Sequence, residues 1–352
     1  MSDQKTASLL QHPAHLLEMS QRLIADGRAE VAISLAQTAI GHSGGTGVVP
    51  AVGKEILTRK IAGFHGPMLR DELRNAAYAA GIAALAPGRT VLDIGTGSGL
   101  LAMLAARAGA LHVYACELDQ RLAVTAREII AANGLADRIT VLPVHSDKLD
   151  RERDLAGGVD LVISEIFSDD LLGEGVLPSL GDVRRRLCLP GARFLPARAA
   201  IRVALVGSGG NSASGRFGQI GTIEGFDLSL LNRHISSHKR FAMNSGEFEL
   251  RSDAADLLAF DFADPHDATD ETRIILASHG GPVSGVVQWI RFQTAADHVY
   301  ENMPQSAAKS HWRLMYHAFD KPIDTLRGQN VAVHAWRNEQ TLLVWGTEKP
   351  VV

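Results

Sequence analysis

Residues 90–117 constrain this chain more than any other stretch. Residues 90–92 (TVL) read as a short apolar strand, 93–99 (DIGTGSG) as a glycine-rich turn, 100–108 as a helix and 112–116 as a second strand, ending at Glu117. A strand that turns tightly into a helix and returns as a strand is a βαβ unit, whose right-handed crossover commits the chain to an open α/β sheet. A helix over 120–133 follows, and then apolar strands at 139–143 (ITVLP) and 159–164 (VDLVIS). Strands alternating with helices predict a doubly wound parallel sheet over about 54–192.

The flanks are of another kind. Residues 8–41 place Leu9, Leu10, Leu16, Leu17, Leu23 and then Val31, Ile33, Leu35, Ile40 at helical spacing around a short glycine-containing turn, which predicts a helical hairpin resembling one tetratricopeptide unit. A glycine- and serine-rich link, GHSGGTGVVP, follows, so that 1–45 form hairpin and linker and 46–192 the Rossmann-like domain. Past Pro190-Gly191 the segments 197–206, 247–253, 273–280, 286–294, 312–319, 331–336 and 341–346 alternate apolar and polar residues with no helical run between them. Short strands at such spacing predict an antiparallel β-barrel domain over 193–352. Residues 207–215 read as a loop and 225–235 as a short helix.

Composition narrows the function classes. The net charge of −4 provides no basic field for a phosphate backbone, so no direct nucleic-acid partner is expected. No apolar run approaches the ~20 residues that a membrane helix needs, and the N-terminus lacks the pattern of a secretory leader. Cys116 and Cys188 stand alone in apolar surroundings, which argues against a disulfide framework or a cysteine metal site and for a reducing, cytoplasmic location.

The turn selects a cofactor class. Nicotinamide loops read G-x-G-x-x-G over a pyrophosphate, whereas here Asp93 precedes Gly95, Gly97 and Gly99. D-x-G-x-G-x-G with an acid after the next strand resembles the S-adenosylmethionine-dependent methyltransferases. That resemblance implies a turn packed on the cofactor, a Glu117 carboxylate accepting both ribose hydroxyls, and an adenine held after the third strand, where Ser146 and Asp147 stand.

Beyond the strand 159–164 come Glu165 and Glu174 in SEIFSDDLLGE. Two carboxylates aimed into one cleft repel unless a cation lies between them, and a guanidinium, planar and always charged, fits two carboxylates bidentately. The S-E-(8)-E segment, the DIGTGSG loop, MLRDELR at 68–74 and Ser310-His311-Trp312 occur in the order of the protein arginine methyltransferases, and the wording is similar to the monomethylating, type III-like branch. The resemblance covers about 55–320. It implies a methyltransferase domain followed by a β-barrel, a dimerisation arm near 207–245, and a homodimer acting on arginine in proteins or peptides. Glu165 and Glu174 would clamp the substrate guanidinium, and Arg74 would bind the cofactor's carboxylate, with His65 and Met68 beside the cofactor. His311 would pair with Asp71 and help close the site or dispose of the proton. Ser168, Asp169 and Asp170 either favour an arginine with basic neighbours or form a solvated loop.

Two departures stand out. Residues 54–64, where the family carries an aromatic-rich helix over the cofactor, hold one aromatic residue, Phe64, and Ser310 stands where threonine is commoner. Two other readings stay open: a methyltransferase acting on a small guanidino compound, an amine or another side chain, and a non-catalytic scaffold.

Overall fold

The structure is a computed structural model that describes residues 13–25, 29–43, 47, 49–53, 65–208, 220–234, 238–241, 248–263, 270–295, 298–304, 306, 310–338 and 341–347. The aromatic-poor stretch 54–64 and residues 209–219 of the expected arm lie outside them. The chain forms two compact units, one of residues 1–66 and 86–164, the other of 67–85 and 165–352. The expected boundary near 192 falls inside a strand, Cys188–Leu195, and the units divide the chain elsewhere.

Helices α1 (Pro13–Ala25) and α2 (Ala29–His42) pack through Leu16, Leu17, Ala36 and Ala39, small residues on α2 allowing close approach. Ser20 Oγ, buried on α1, donates to the Ala32 carbonyl at 2.7 Å, so the polar group in this seam is satisfied. Two helices follow, α3 (His65–Leu69) and α4 (Glu72–Leu85), the latter within the second unit.

The first unit continues as β1 (Thr90–Ile94), α5 (Leu100–Arg107), β2 (His112–Cys116), α6 (Gln120–Ala132), β3 (Ile139–Leu142), α7 (Arg151–Leu155) and β4 (Val159–Ser164). The strands lie in the order β3-β2-β1-β4, all parallel. Val91, Leu92, Leu161, Val162 and Ile163 are fully buried, as expected for strands covered on both faces. Helix α2 packs against α6, which gives the N-terminal hairpin its place on this unit.

In the second unit α4 buries Arg74, Ala77, Tyr78, Gly81 and Ile82, one stripe at helical spacing. Next come α8 (Val176–Arg186), β5 (Cys188–Leu195) and β6 (Arg198–Ser208), with β5 running through Pro190-Gly191, which the sequence suggested as a break. The expected helix over 225–235 is corrected. Strands β7 (Thr222–Ile223) and β8 (Phe226–Asp227) form a hairpin whose turn residues Glu224 and Gly225 both have positive φ, and only Ser229–His234 coil, as a 3-10 helix.

The remaining strands are β9 (His238–Phe241), β10 (Phe248–Leu250), β11 (Ala255–Asp261), β12 (Asp270–Ala277), β13 (Gly281–Ala295), β14 (His298–Glu301), β15 (Leu314–Thr325), β16 (Asn330–Arg337) and β17 (Leu342–Thr347). They build a seven-stranded antiparallel sheet along β10-β6-β13-β15-β9, with β11 on β6 and β14 on β13, and a three-stranded sheet β12-β16-β17. Strands β9, β11 and β14 were not expected. In β11 the register shifts between Asp256 and Leu258, and that irregularity breaks the alternation from which a strand is read. Ala204, Val206, Phe248, Val287, Trp289, Leu314 and Tyr316 form the core on one face of the large sheet.

Helix α4 is fastened to this sheet. Thr294 Oγ1 of β13 donates to the Ala77 carbonyl at 2.7 Å, and Gly81 lies so close that a Cβ there would stand 2.8 Å from Leu195 Cδ1 and from the Thr294 carbonyl oxygen. A Gly81→Ala chain must push backbone aside, and we expect it to lose about 1–3 kcal/mol in urea unfolding. Stability equal to the parent would mean that this seam is loosely packed.

Candidate active site

The turn after β1 has a backbone that glycine alone adopts freely. Gly95, Gly97 and Gly99 have φ of 70°, 55° and 83°, which accounts for glycine at alternate positions. The N–H groups of Gly95 and Thr96 both donate to the Cys116 carbonyl at 3.0 Å, so the turn is sewn to the end of β2. Asp93, 1% exposed, accepts Thr96 Oγ1 at 2.6 Å and closes the turn from beneath.

Glu117 is drawn into the same turn. Its Oε2 accepts the Gly97 N–H and its Oε1 the Asp119 N–H, each at 2.9 Å. One donor on each oxygen leaves each with a spare lone pair, so the group can accept two neighbouring hydroxyls, as a ribose presents them. The residues present therefore fit a nucleoside cofactor. The His65 ring lies beside Gly97, its Cε1 3.7 Å from where a Cβ would stand, so a larger residue at 97 would crowd the imidazole. Burial lowers the His65 pKa, against the pull of Glu117 and Asp119, and favours the neutral ring. After β3 a 3-10 turn, Ser146–Lys148, buries Ser146 and leaves Asp147 exposed beside His145 and Lys148.

The second unit brings four charged groups together. Arg74 Nη2 donates to Glu165 Oε2 at 2.5 Å, with side chains 3% and 5% exposed. His311 Nδ1 lies 3.0 Å from Asp71 Oδ2, with side chains 6% and 0% exposed. Asp71 also accepts the backbone N–H groups of Arg74 on Oδ1 at 2.9 Å and of His311 on Oδ2 at 3.1 Å. Burial alone would raise the Asp71 pKa, but the His311 ring and these two N–H groups outweigh it and hold the carboxyl below its ordinary range. Burial pushes the Glu165 carboxyl upward instead, with Arg74 and His311 opposing. Arg74 Nη1 donates to Asn75 Oδ1 at 2.9 Å, while its Nε is buried without an acceptor among the described residues. Met68 is buried, and Glu174 is exposed on the turn that leads into α8.

The segment 310–313 steadies the loop between the two glutamates. Trp312 Nε1 donates to the Phe167 carbonyl at 2.9 Å and the Arg313 N–H to Asp169 Oδ1 at 2.8 Å. Asp170 Oδ1 takes the Gly173 N–H at 3.0 Å and a short hydrogen bond from Ser168 Oγ. Asp169 and Asp170 thus each spend one oxygen on loop geometry.

Sequence reasoning passed over Tyr300 and Asn302. Tyr300, on β14, donates to Asp71 Oδ2 at 3.3 Å, and Asn302 Nδ2 donates to the Trp312 carbonyl at 3.3 Å. Neither belongs to a local pattern, and only pairing of β14 with β13 brings them here. Among the described residues no cluster of His, Cys, Asp and Glu is arranged to hold a metal ion.

Residues 82–173 match the family described as ribosomal protein L11 methyltransferase (PrmA). An arginine N(omega)-methyltransferase of Streptomyces achromogenes subsp. streptozoticus is 36% identical over 293 residues, 82% of this chain and 80% of that protein. Protein arginine N-methyltransferase 7 of Oryza sativa subsp. japonica is 31% identical over 268 residues, and there the chain spans only 37% of the relative's length. Among solved structures, the Trypanosoma brucei PRMT1 enzyme-prozyme heterotetrameric complex with AdoHcy aligns with a TM-score of 0.71 at 25% identity, over 80% of this chain and 91% of that one.

The Asp71 geometry has a consequence for acid stability. A carboxyl whose folded pKa lies below its unfolded value of ~3.9 contributes its full stability above that value and loses it as pH falls through the folded pKa. Asp71→Asn should cost about 1.5–3 kcal/mol at pH 7, the range for hydrogen bonds to a charged group, and the gap should narrow below pH ~4. Urea midpoints of both chains across that range test it, and a gap independent of pH would mean that ionised Asp71 contributes nothing.

Proposed function

The chain belongs to the protein arginine N-methyltransferase family, in which S-adenosylmethionine is the methyl donor, and from that premise we propose that it methylates arginine side chains of proteins or peptides. When bound, the cofactor supplies an electrophilic methyl group on a sulfonium sulfur. Asp93, Gly95, Gly97 and Glu117 of the first unit hold its ribose end, with His65 beside the turn and Ser146 and Asp147 facing the base.

The observation that supports the acceptor reading is the guanidinium of Arg74 on the buried Glu165 carboxylate at 2.5 Å, a contact of the same chemistry as the proposed clamp. Glu165 and Glu174 bind the substrate guanidinium and orient one nitrogen. Orientation of this kind is worth several kcal/mol in the barrier, on the order of 7 or more in the best cases. Arg74, with one buried N–H unanswered, serves as a carboxylate binder, the role expected of it toward the cofactor, and Met68 packs near the reacting centre. His311, presenting Nδ1 to an ionised Asp71, keeps Nε2 for the proton that the acceptor nitrogen sheds.

A second reading has its own support. The Streptomyces relative, matched over 80% of its length, is named for arginine rather than for protein arginine, and Asp169 and Asp170 are partly occupied by the backbone N–H groups of Arg313 and Gly173. Free arginine or another small guanidino compound would then be the acceptor. The exposed Ile223, Phe226, Leu228, Leu230 and Leu231 support the reading of this region as a dimerisation arm, and Cys116 and Cys188, neither in a disulfide, suit a cytoplasmic site. Among the described residues no helix is long and apolar enough to cross a membrane.

Transfer of a tritiated methyl group, offered both arginine-rich peptides and free arginine, separates the readings. Label recovered as methylarginine after hydrolysis of the peptide supports the first, label in free methylarginine the second, and label in neither sinks both. Glu174→Gln should bind S-adenosylhomocysteine nearly as the parent does while its transfer falls by ~10²-fold or more, the scale on which misplacing a reacting group acts. Retained turnover would remove Glu174 from the clamp.

A further inference from the structure

Tyr300 needs its ring for packing but not its hydroxyl. The ring stacks on Phe292, with centroids 4.7 Å apart at 14°, and meets Trp312 edge-on at 5.2 Å, contacts that phenylalanine would make equally well. Yet the hydroxyl is carried into a site where the residue is 2% exposed, and a buried hydroxyl is costly unless its partners are provided.

They are provided in a directed chain. The Trp312 N–H donates to Ser310 Oγ at 3.0 Å, and Ser310 Oγ shares a short hydrogen bond with the Tyr300 hydroxyl. Ionised Asp71 can only accept, so the Tyr300 proton points to Asp71 Oδ2, and the Ser310 proton must then point to the Tyr300 oxygen. Asp71 Oδ2 thereby takes three donors, the Tyr300 hydroxyl, the His311 N–H and the His311 ring. The charged and titratable groups around His311 are Asp71, Arg74 and Glu165, with Tyr300 behind Asp71. Burial, with Asp71 alongside, pushes the Tyr300 phenol above its ordinary range, so it remains a donor.

We propose that Tyr300, backed by Ser310, is a positioning residue for methyl transfer: by sharing Asp71 Oδ2 it keeps that carboxylate an acceptor and holds His311 with Nδ1–H toward it and Nε2 open. The proposal rests on the reading of His311 as proton acceptor. In that step the N–H bond of the acceptor nitrogen breaks, its electron pair stays on nitrogen, and the Nε2 lone pair takes the proton. The same chain accounts for the serine of Ser310-His311-Trp312, whose hydroxyl needs only to accept one N–H and pass its proton to Tyr300.

Tyr300→Phe keeps the ring and deletes the hydroxyl. With one donor fewer, Asp71 stabilises protonated His311 more strongly, so the acid limb of the rate profile should move up by about 0.5–1 pH unit, the worth of one hydrogen bond. The rate at the optimum should fall about tenfold, short of the ~10²-fold or more carried by a general base itself. The KM for the arginine acceptor and S-adenosylhomocysteine binding should stay within about twofold, as for a group that touches neither. Ser310→Thr should behave as the parent and Ser310→Ala as a milder Tyr300→Phe. The His311 ring titration, followed by NMR in both chains, does not depend on turnover. An unmoved titration overturns the proposal, as does a loss confined to thermal stability, whereas a parent chain that methylates no arginine overturns the reading beneath it.

Discussion

Burying Asp71, Arg74, Glu165 and His311 together is the constraint to which the rest of the second unit answers. An isolated charge in the interior costs several kcal/mol, and such a cluster persists only where each member has a partner at hydrogen-bond distance. The partners come from distant parts of the chain: helix α4 carries Arg74 and lies beside Asp71, the loop after β4 carries Glu165, and the segment before β15 carries His311. Helix α4 must therefore be held on the antiparallel sheet, and the Gly81 contact and the Thr294 hydrogen bond do this. Tyr300 and Trp312, packed on each other and on Phe292, border the Asp71–His311 pair, Tyr300 through its hydroxyl on Asp71 and Trp312 through its ring beside the imidazole.

The two groups of candidate residues differ in how they are made. The turn after β1 is a backbone device, three left-handed glycines and a carboxylate bonded to the turn, all within one βαβ unit. The buried cluster of the second unit is a side-chain device assembled from afar, in which Asp71 and His311 lie 240 positions apart. A backbone device tolerates little change at its glycines. A side-chain device can be retuned one residue at a time.

That difference also decided what the sequence disclosed. The glycine turn, Glu117 and the parallel strands were legible because their determinants are local and periodic. Residues 225–235 read as helix because Phe226, Leu228, Leu230 and Leu231 make the segment dense in apolar residues, while the decisive signal, Glu224-Gly225 at positive φ, is a two-residue turn. Strand β11 was hidden by its register shift. Asp71 and His311 were reached only through resemblance to a family, since no spacing links them, and Tyr300 was not reached at all. The Arg74 contact with Glu165 was likewise unforeseen, because a sequence does not say which of two candidate anions a buried cation will take.

Helix α4 leaves one problem to the cell. The Thr294 hydroxyl that closes on its Ala77 carbonyl lies 217 residues downstream. At roughly 5–20 residues per second the ribosome needs about 10–40 s to deliver that strand, and until then the apolar stripe of Tyr78 and Ile82 has no native cover. The nascent chain thus carries an apolar helix face through that interval, and a chaperone that shields it has more to do here than in a protein whose neighbours in space are neighbours in time.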